Sequence, residues 1–286
     1  MLKKILYSPK ELQKLADEDK AVIIDVRDAE EYAKDHIHGA VNMQDMFYEL
    51  SMTTEEGLCE MTDKFKRLFS KAGISKNKMA VLYEDNLSTR YGGSCRGYYQ
   101  LAFMGQENVG ILDGGLANWK REGLPTNDEV VTPSPTVFVP KINDSIMATK
   151  DTMKQALDNP DIKLLDNRDK VEWIGESSSP YGVDFAPRKG RIPGAKWIEW
   201  YDFMETDDSG SISHFRSPEA IREICAKRDL YPDDDIIIYC FKGARASNTL
   251  VAMKMAGFKK VRNYYGSWNE WSRDMSLPID DKVLVA

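Results

Sequence analysis

The chain has 286 residues, long for a single hydrophobic core, so two domains are expected. Its 46 acidic and 39 basic residues leave a net charge of −7, which gives no general attraction to nucleic acid or to an anionic membrane, so any anion binding has to be local. No window has the length of a spanning helix, and the run from Met1 to Pro9 is too short in apolar residues for a signal peptide, so a cytoplasmic protein is expected.

Ser8-Pro9-Lys10-Glu11 reads as a helix start, with Ser8 as N-cap and Pro9 in the first turn. Ala21 to Asp25 is a continuous apolar run of the kind buried in parallel sheets, and Arg27 follows it. Asp28 to Lys34 reads as a short helix, and His36-Ile37-His38-Gly39-Ala40 as a turn into a further strand. Met61 to Ala72 has helical spacing, Met79 to Tyr83 is a strand, Ser94 to Met104 a helix, Val109 to Leu112 a strand, and Asp113-Gly114-Gly115 turns into a last helix carrying Trp119. Strands and helices alternating at these lengths predict an α/β domain with a mostly parallel central sheet flanked by helices.

Pro125 to Pro140 carries four prolines and reads as a linker. Beyond it the pattern returns. Asp25-Val26-Arg27 is echoed by Asp166-Asn167-Arg168, His36 to Ala40 by Arg191 to Ala195, and Leu82-Tyr83-Glu84 by Ile238-Tyr239-Cys240. The turn before Trp119 is echoed by Tyr265-Gly266-Ser267 before Trp271. The chain is a tandem duplication of one α/β unit, expected as a first domain over 1–126, a linker over 127–144 and a second domain over 145–286. The second copy holds a 14-residue insertion between Arg168 and Arg191, rich in Ser, Pro and Gly.

The position of Cys240 sets the copies apart. It ends an apolar strand and opens the loop Cys240-Phe241-Lys242-Gly243-Ala244-Arg245, with a helix expected from Ala246. Backbone N–H groups of a short loop entering a helix form an anion site and favour a thiolate. Lys242 and Arg245 add two cations, so Cys240 reads as a nucleophile, while Glu84 occupies the same place in the first copy. Cys59, Cys95 and Cys225 have no such setting. Four dispersed cysteines and three histidines give no metal-binding spacing, so reduced thiols are expected and neither a metal nor a cofactor.

These motifs, twice and in order over Lys10 to Pro278, resemble the rhodanese sulfurtransferases, most nearly the two-domain thiosulfate enzymes. The resemblance implies two rhodanese-like domains, the first inactive and the second catalytic. It also implies transfer of sulfane sulfur from thiosulfate to a thiophile, cyanide or a thiol, through a persulfide on Cys240. Phe241, Lys242, Gly243, Ala244 and Arg245 would hold the donor and the persulfide, and Arg188 stands where related enzymes place an arginine facing the pocket. Trp200 and Trp268 are pocket or core residues, and the Asp166/Arg168 pair is expected to be structural. Arg191, in place of the usual histidine, and Tyr265, in place of an aspartate, depart from the pattern.

Two cations beside the cysteine favour a dianionic donor over the monocarboxylate 3-mercaptopyruvate, which is the alternative substrate. A non-catalytic sulfur-carrier, thiol-sensing or protein-interaction module is a second alternative, with a protein as sulfur acceptor. Phosphatases and arsenate reductases of related architecture have five residues between cysteine and arginine. Here there are four.

Overall fold

The apolar runs of the sequence are the central strands of two parallel sheets. In the computed structural model, which describes residues 3–284, the first half gives β1 (Leu6–Tyr7), α1 (Pro9–Asp17), β2 (Ala21–Asp25), α2 (Ala29–Lys34), β3 (His36–Ile37), β4 (Val41–Asn42), α3 (Asp45–Tyr48), α4 (Glu55–Lys71), β5 (Met79–Tyr83), α5 (Gly93–Phe103), β6 (Val109–Leu112), α6 (Gly115–Arg121) and β7 (Thr126–Asn127). Residues 128–143 form no helix or strand. The second half gives β8 (Met147–Ala148), α7 (Lys150–Leu157), β9 (Ile162–Asp166), α8 (Lys170–Trp173), β10 (Lys196–Trp197), β11 (Met204–Thr206), β12 (Ser213–Phe215), α9 (Pro218–Ala226), β13 (Asp235–Tyr239), α10 (Ala244–Met255), β14 (Lys260–Tyr264) and α11 (Ser267–Arg273). Among the described residues no helix is long and apolar enough to cross a membrane.

Two compact units result. The first takes the stretch ending at Glu49 with Cys59–Asn143 and Glu205–His214; the second takes Leu50–Leu58, Asp144–Met204 and the stretch from Phe215 on. The sheet of the first runs β1-β6-β5-β2-β4 and that of the second β8-β14-β13-β9-β10, and their strands pair in parallel. Strand for strand the order is the same, so the tandem duplication read from sequence is a duplication of topology.

Equivalent contacts repeat with it. Asp25 pairs with Arg27 at 2.7 Å and Asp166 with Arg168 at 2.6 Å, both pairs buried at the end of a central strand. The Tyr83 hydroxyl accepts the Ile37 N–H, and the Tyr239 hydroxyl accepts that of Ile192. The indole N–H of Trp119 donates to the Pro125 carbonyl at 3.0 Å, and that of Trp271 to the Pro278 carbonyl at 2.9 Å.

The arginine at 191 does the work of the first copy's histidine. His36 stacks on Tyr32 and bonds the Glu129 carbonyl, holding the chain that leaves the first unit. Arg191 lies over Trp173, donates to the Lys282 carbonyl and pairs with Asp280, holding the chain that leaves the second. Two element starts differ from the sequence reading. Helix α4 begins at Glu55, which puts Cys59 on a helix, and α10 begins at Ala244.

Candidate functional site

Strand β13 stops at Tyr239 and α10 starts at Ala244, so the chain has Cys240 to Gly243 in which to turn. Gly243 makes the turn at φ +83°, and a Cβ there would stand 3.0 Å from the Tyr265 carbonyl oxygen. A left-handed backbone and a close neighbour both require glycine. The turn sends the Gly243 N–H onto the Cys240 sulfur at 3.1 Å. The cysteine itself is 1% exposed.

The rest of the loop is tied from behind. Ser267, itself left-handed at φ +52°, accepts the Cys240 N–H on its hydroxyl at 3.2 Å and donates that hydroxyl to the Tyr264 carbonyl. The Trp268 and Asn269 N–H groups donate to the carbonyls of Cys240 and Phe241. The Gly243 carbonyl accepts from both Asn263 Nδ2 and Ser247 Oγ.

The charged side chains of the loop take separate positions. Arg245 is buried, its guanidinium bonded to both Glu172 carboxylate oxygens at 2.5 and 3.1 Å and 2.8 Å from Asp169. Burial disfavours its charge, and Glu172, the Cys240 sulfur and Asp169 more than offset this, so the group stays protonated. Arg245 is thus a strut between the loop and α8. Lys242, 8% exposed, has its ammonium 5.5 Å from the ring centroid of Tyr181 in the insertion. The same ring lies 4.9 Å from that of Phe241, whose side chain is packed in the core with Trp268. Ala244 is buried, so what Phe241 and Ala244 offer a donor is backbone N–H rather than side chain.

The Arg188 guanidinium is not brought to this loop's hydrogen bonds. It donates to four carbonyls, those of Trp271, Ser272, Asp274 and Leu277, and so fastens the end of α11. Last-turn carbonyls are acceptors that a helix leaves open, and the cation meets the negative end of the helix. Its own carbonyl accepts from the Trp268 indole. Trp200 and Trp268 are fully buried.

In the first unit, Glu84 occupies the place of the cysteine and fills the helix N-terminus with its own carboxyl group. The group is fully buried and accepts from the N–H of Gly93, the N–H of Ser94 and the Ser94 hydroxyl. Burial pushes its pKa up to about 8 although these three donors pull it down. Of the other cysteines, Cys59 is exposed, while Cys95 and Cys225 are buried, and burial pushes the Cys225 thiol up to about 12.

The sequence reading missed Glu172, Tyr181 and Ser267. Ser267 was visible as the middle of the Gly-Ser-Trp turn. Glu172 could be found only by matching it to Glu31 of the first copy, and Tyr181 lies in an insertion that the first copy lacks.

The family model for the rhodanese-like domain matches twice, over residues 8–122 and 149–274. The chain belongs to the rhodanese family. Among relatives of this tandem rhodanese, a thiosulfate sulfurtransferase from Azotobacter vinelandii is 27% identical over 278 residues, which cover 96% of this chain and 97% of the relative. The sulfur carrier protein TtuD of Thermus thermophilus is 29% identical over 291 aligned positions, covering 96% of each. A solved structure of the anaerobic ergothioneine biosynthesis enzyme from Chlorobium limicola, in complex with trimethyl histidine, aligns with a TM-score of 0.83 at 23% identity. It covers 98% of this rhodanese and 70% of that chain, and the likeness is one of fold.

Proposed function

We propose that this rhodanese is a sulfurtransferase that moves sulfane sulfur from thiosulfate to a thiophilic acceptor through Cys240, in the class of the thiosulfate sulfurtransferases. The observation that carries the reading is the bond from the Gly243 N–H to the Cys240 sulfur, at the mouth of a twelve-residue helix. A sulfur held this way sits at the positive end of the helix, where negative charge on it is stabilised.

The Cys240 thiolate attacks the outer sulfur of thiosulfate. A bond forms between the two sulfurs, the bond between the two sulfurs of thiosulfate breaks, and sulfite leaves with the electron pair. One negative charge remains on the terminal persulfide sulfur, held by the loop N–H groups of Phe241 to Arg245. A thiol or cyanide then attacks that sulfur, and the electron pair of the broken bond returns to Cys240 as thiolate.

A dianion approaching an anionic nucleophile needs compensating charge. Lys242 supplies it in this mechanism. Arg245 acts through its ion pair with Glu172 by holding the loop closed, and Arg188 acts by fixing α11, whose first N–H groups hold the loop carbonyls. This division of labour rests the choice of thiosulfate over 3-mercaptopyruvate on one cation rather than two, so mercaptopyruvate stands as the second donor to try. The name of the Thermus thermophilus relative favours a protein thiol as a further acceptor.

The test is intact-protein mass spectrometry after thiosulfate, with sulfite release followed in the same sample. Wild type is expected to gain one sulfur as sulfite appears, and Cys240→Ala to gain none. An adduct on the alanine variant overturns the assignment of Cys240, and wild type without an adduct from either donor favours a non-catalytic module.

A further inference from the structure

The opposite end of the catalytic sheet has a site of its own. A cleft of about 590 Å³ opens where β13 and β14 begin and α10 ends, lined by Asp144, Ser145, Thr149, Thr152, Asp235, Lys254, Lys259, Lys260 and Arg262 among others. Asp235 opens the strand that Cys240 follows, so roughly 16 Å of extended chain separates cleft and thiol.

The charges around the cleft do not cancel. Arg262 is paired with Asp235 at 2.5 Å, and Lys259 with Asp233 at 2.6 Å. Asp144 is the remaining acid of the lining, against two further bases, Lys254 and the exposed Lys260. Lys254 is the telling residue. It is half-buried in the last turn of α10, and among the described residues its ammonium meets no hydrogen-bond acceptor and no carboxylate. Burial alone lowers its pKa. The helix C-terminus favours a cation there, and the ammonium, half-buried at the cleft wall, keeps its donors turned to whatever fills the cleft.

A partly desolvated amine with no protein acceptor gains from a ligand that supplies one. The hydroxyls of Ser145, Thr149 and Thr152 line the same cleft, and with the amines of Lys254 and Lys260 they make a donor set suited to a group with several charged oxygens. A chain of net charge −7 has little general affinity for such a group, so the local excess is what would draw it.

We propose that this cleft binds a small molecule bearing a tetrahedral oxyanion, a phosphate or a sulfo group, with Lys254 as its central ligand. The site is separate from the sulfur chemistry and does not depend on it.

The experiment is thermal unfolding of the full chain at low ionic strength, with inorganic pyrophosphate in one arm and sulfate in the other, each balanced by chloride. At a hundredfold excess over its dissociation constant, a bound anion is expected to raise Tm by about 5 °C. Lys254→Met is expected to lose that rise and to keep Cys240 persulfide loading, which reports that the variant is folded; Lys254→Gln replaces it if the methionine variant does not fold. A rise with pyrophosphate alone identifies a phosphate ligand, and one with both anions a site for either group. No rise in wild type with either anion, or a rise that the folded variant retains, overturns the proposal.

Discussion

Glu84 makes the first unit sensitive to pH in a direction that can be worked out. Its carboxyl is fully buried, and its pKa rises from an ordinary 4.5 to about 8 on folding. The folded unit therefore binds more protons than the unfolded chain between these values, and stability contributed by the protonated carboxyl, complete below pH 4.5, is lost as pH rises through 8. The slope is about 1.4 kcal/mol per pH unit, so going from pH 5 to pH 7.5 removes on the order of 3 kcal/mol. Replacing Glu84 by Gln keeps the shape and abolishes the titration. Its amide would also set an N–H group against the Gly93 and Ser94 donors, a cost that does not depend on pH and leaves the slope untouched. Hydrogen exchange read by mass spectrometry on α5 peptides isolates the first unit from the second. The stability difference, wild type minus Glu84→Gln, is expected to fall steadily between pH 5 and pH 7.5. A difference that stays flat across that range would refute the argument, because a carboxyl already ionised at pH 5 cannot be the buried neutral acid described.

Two further substitutions separate support from chemistry. Glu172→Gln leaves buried Arg245 with Asp169 as its carboxylate partner, and is expected to cost about 3 kcal/mol in urea unfolding and to lower the rate of persulfide formation; an unchanged midpoint and rate would remove Arg245 from the role of strut. Arg188→Leu frees four carbonyls in the last turn of α11 and the segment after it, and is expected to lower Tm by several degrees while KM for thiosulfate in the folded enzyme stays near wild type. A raised KM with an unchanged Tm would instead make Arg188 a donor ligand.

What could be read in the sequence was what is local in the chain or repeated along it. The Asp-X-Arg pairs could be read because acid and base lie two residues apart and recur in each copy. The setting of Cys240 could be read because the strand, the glycine and the helix that build it are contiguous. The destination of Arg245 could not, since Glu172 is 73 residues away and nothing in the loop names it. Two cations near a thiol in sequence looked alike, and only the partners each meets in the fold separate them, carboxylates for Arg245 and the Tyr181 ring for Lys242. Arg188 shows the same limit. An arginine before the Gly-Ala turn is equally compatible with a pocket, with solvent and with a helix end, and the carbonyls that claim it lie more than 80 residues on. Arg191 looked like a departure from the family pattern, yet it serves as the counterpart of His36, because a guanidinium and an imidazole can both reach a carbonyl and lie against an aromatic ring.

The tethering of the loop carbonyls bears on how sulfur is handled at each turnover. With the carbonyls of Cys240, Phe241 and Gly243 held by α11, Asn263 and Ser247, the peptide planes between them are not at liberty to rotate. Their dipoles are oriented when the protein folds, and the energy of aligning them is spent then. In the proposed transfer, charge moving onto and off the terminal sulfur would find its donors already in place, so loading and unloading would need little reorganisation of the cradle. A loop of this stiffness also has no means of reshaping itself around a bulkier donor. Tolerance for different acceptors would have to come from neighbouring segments such as the insertion that carries Tyr181.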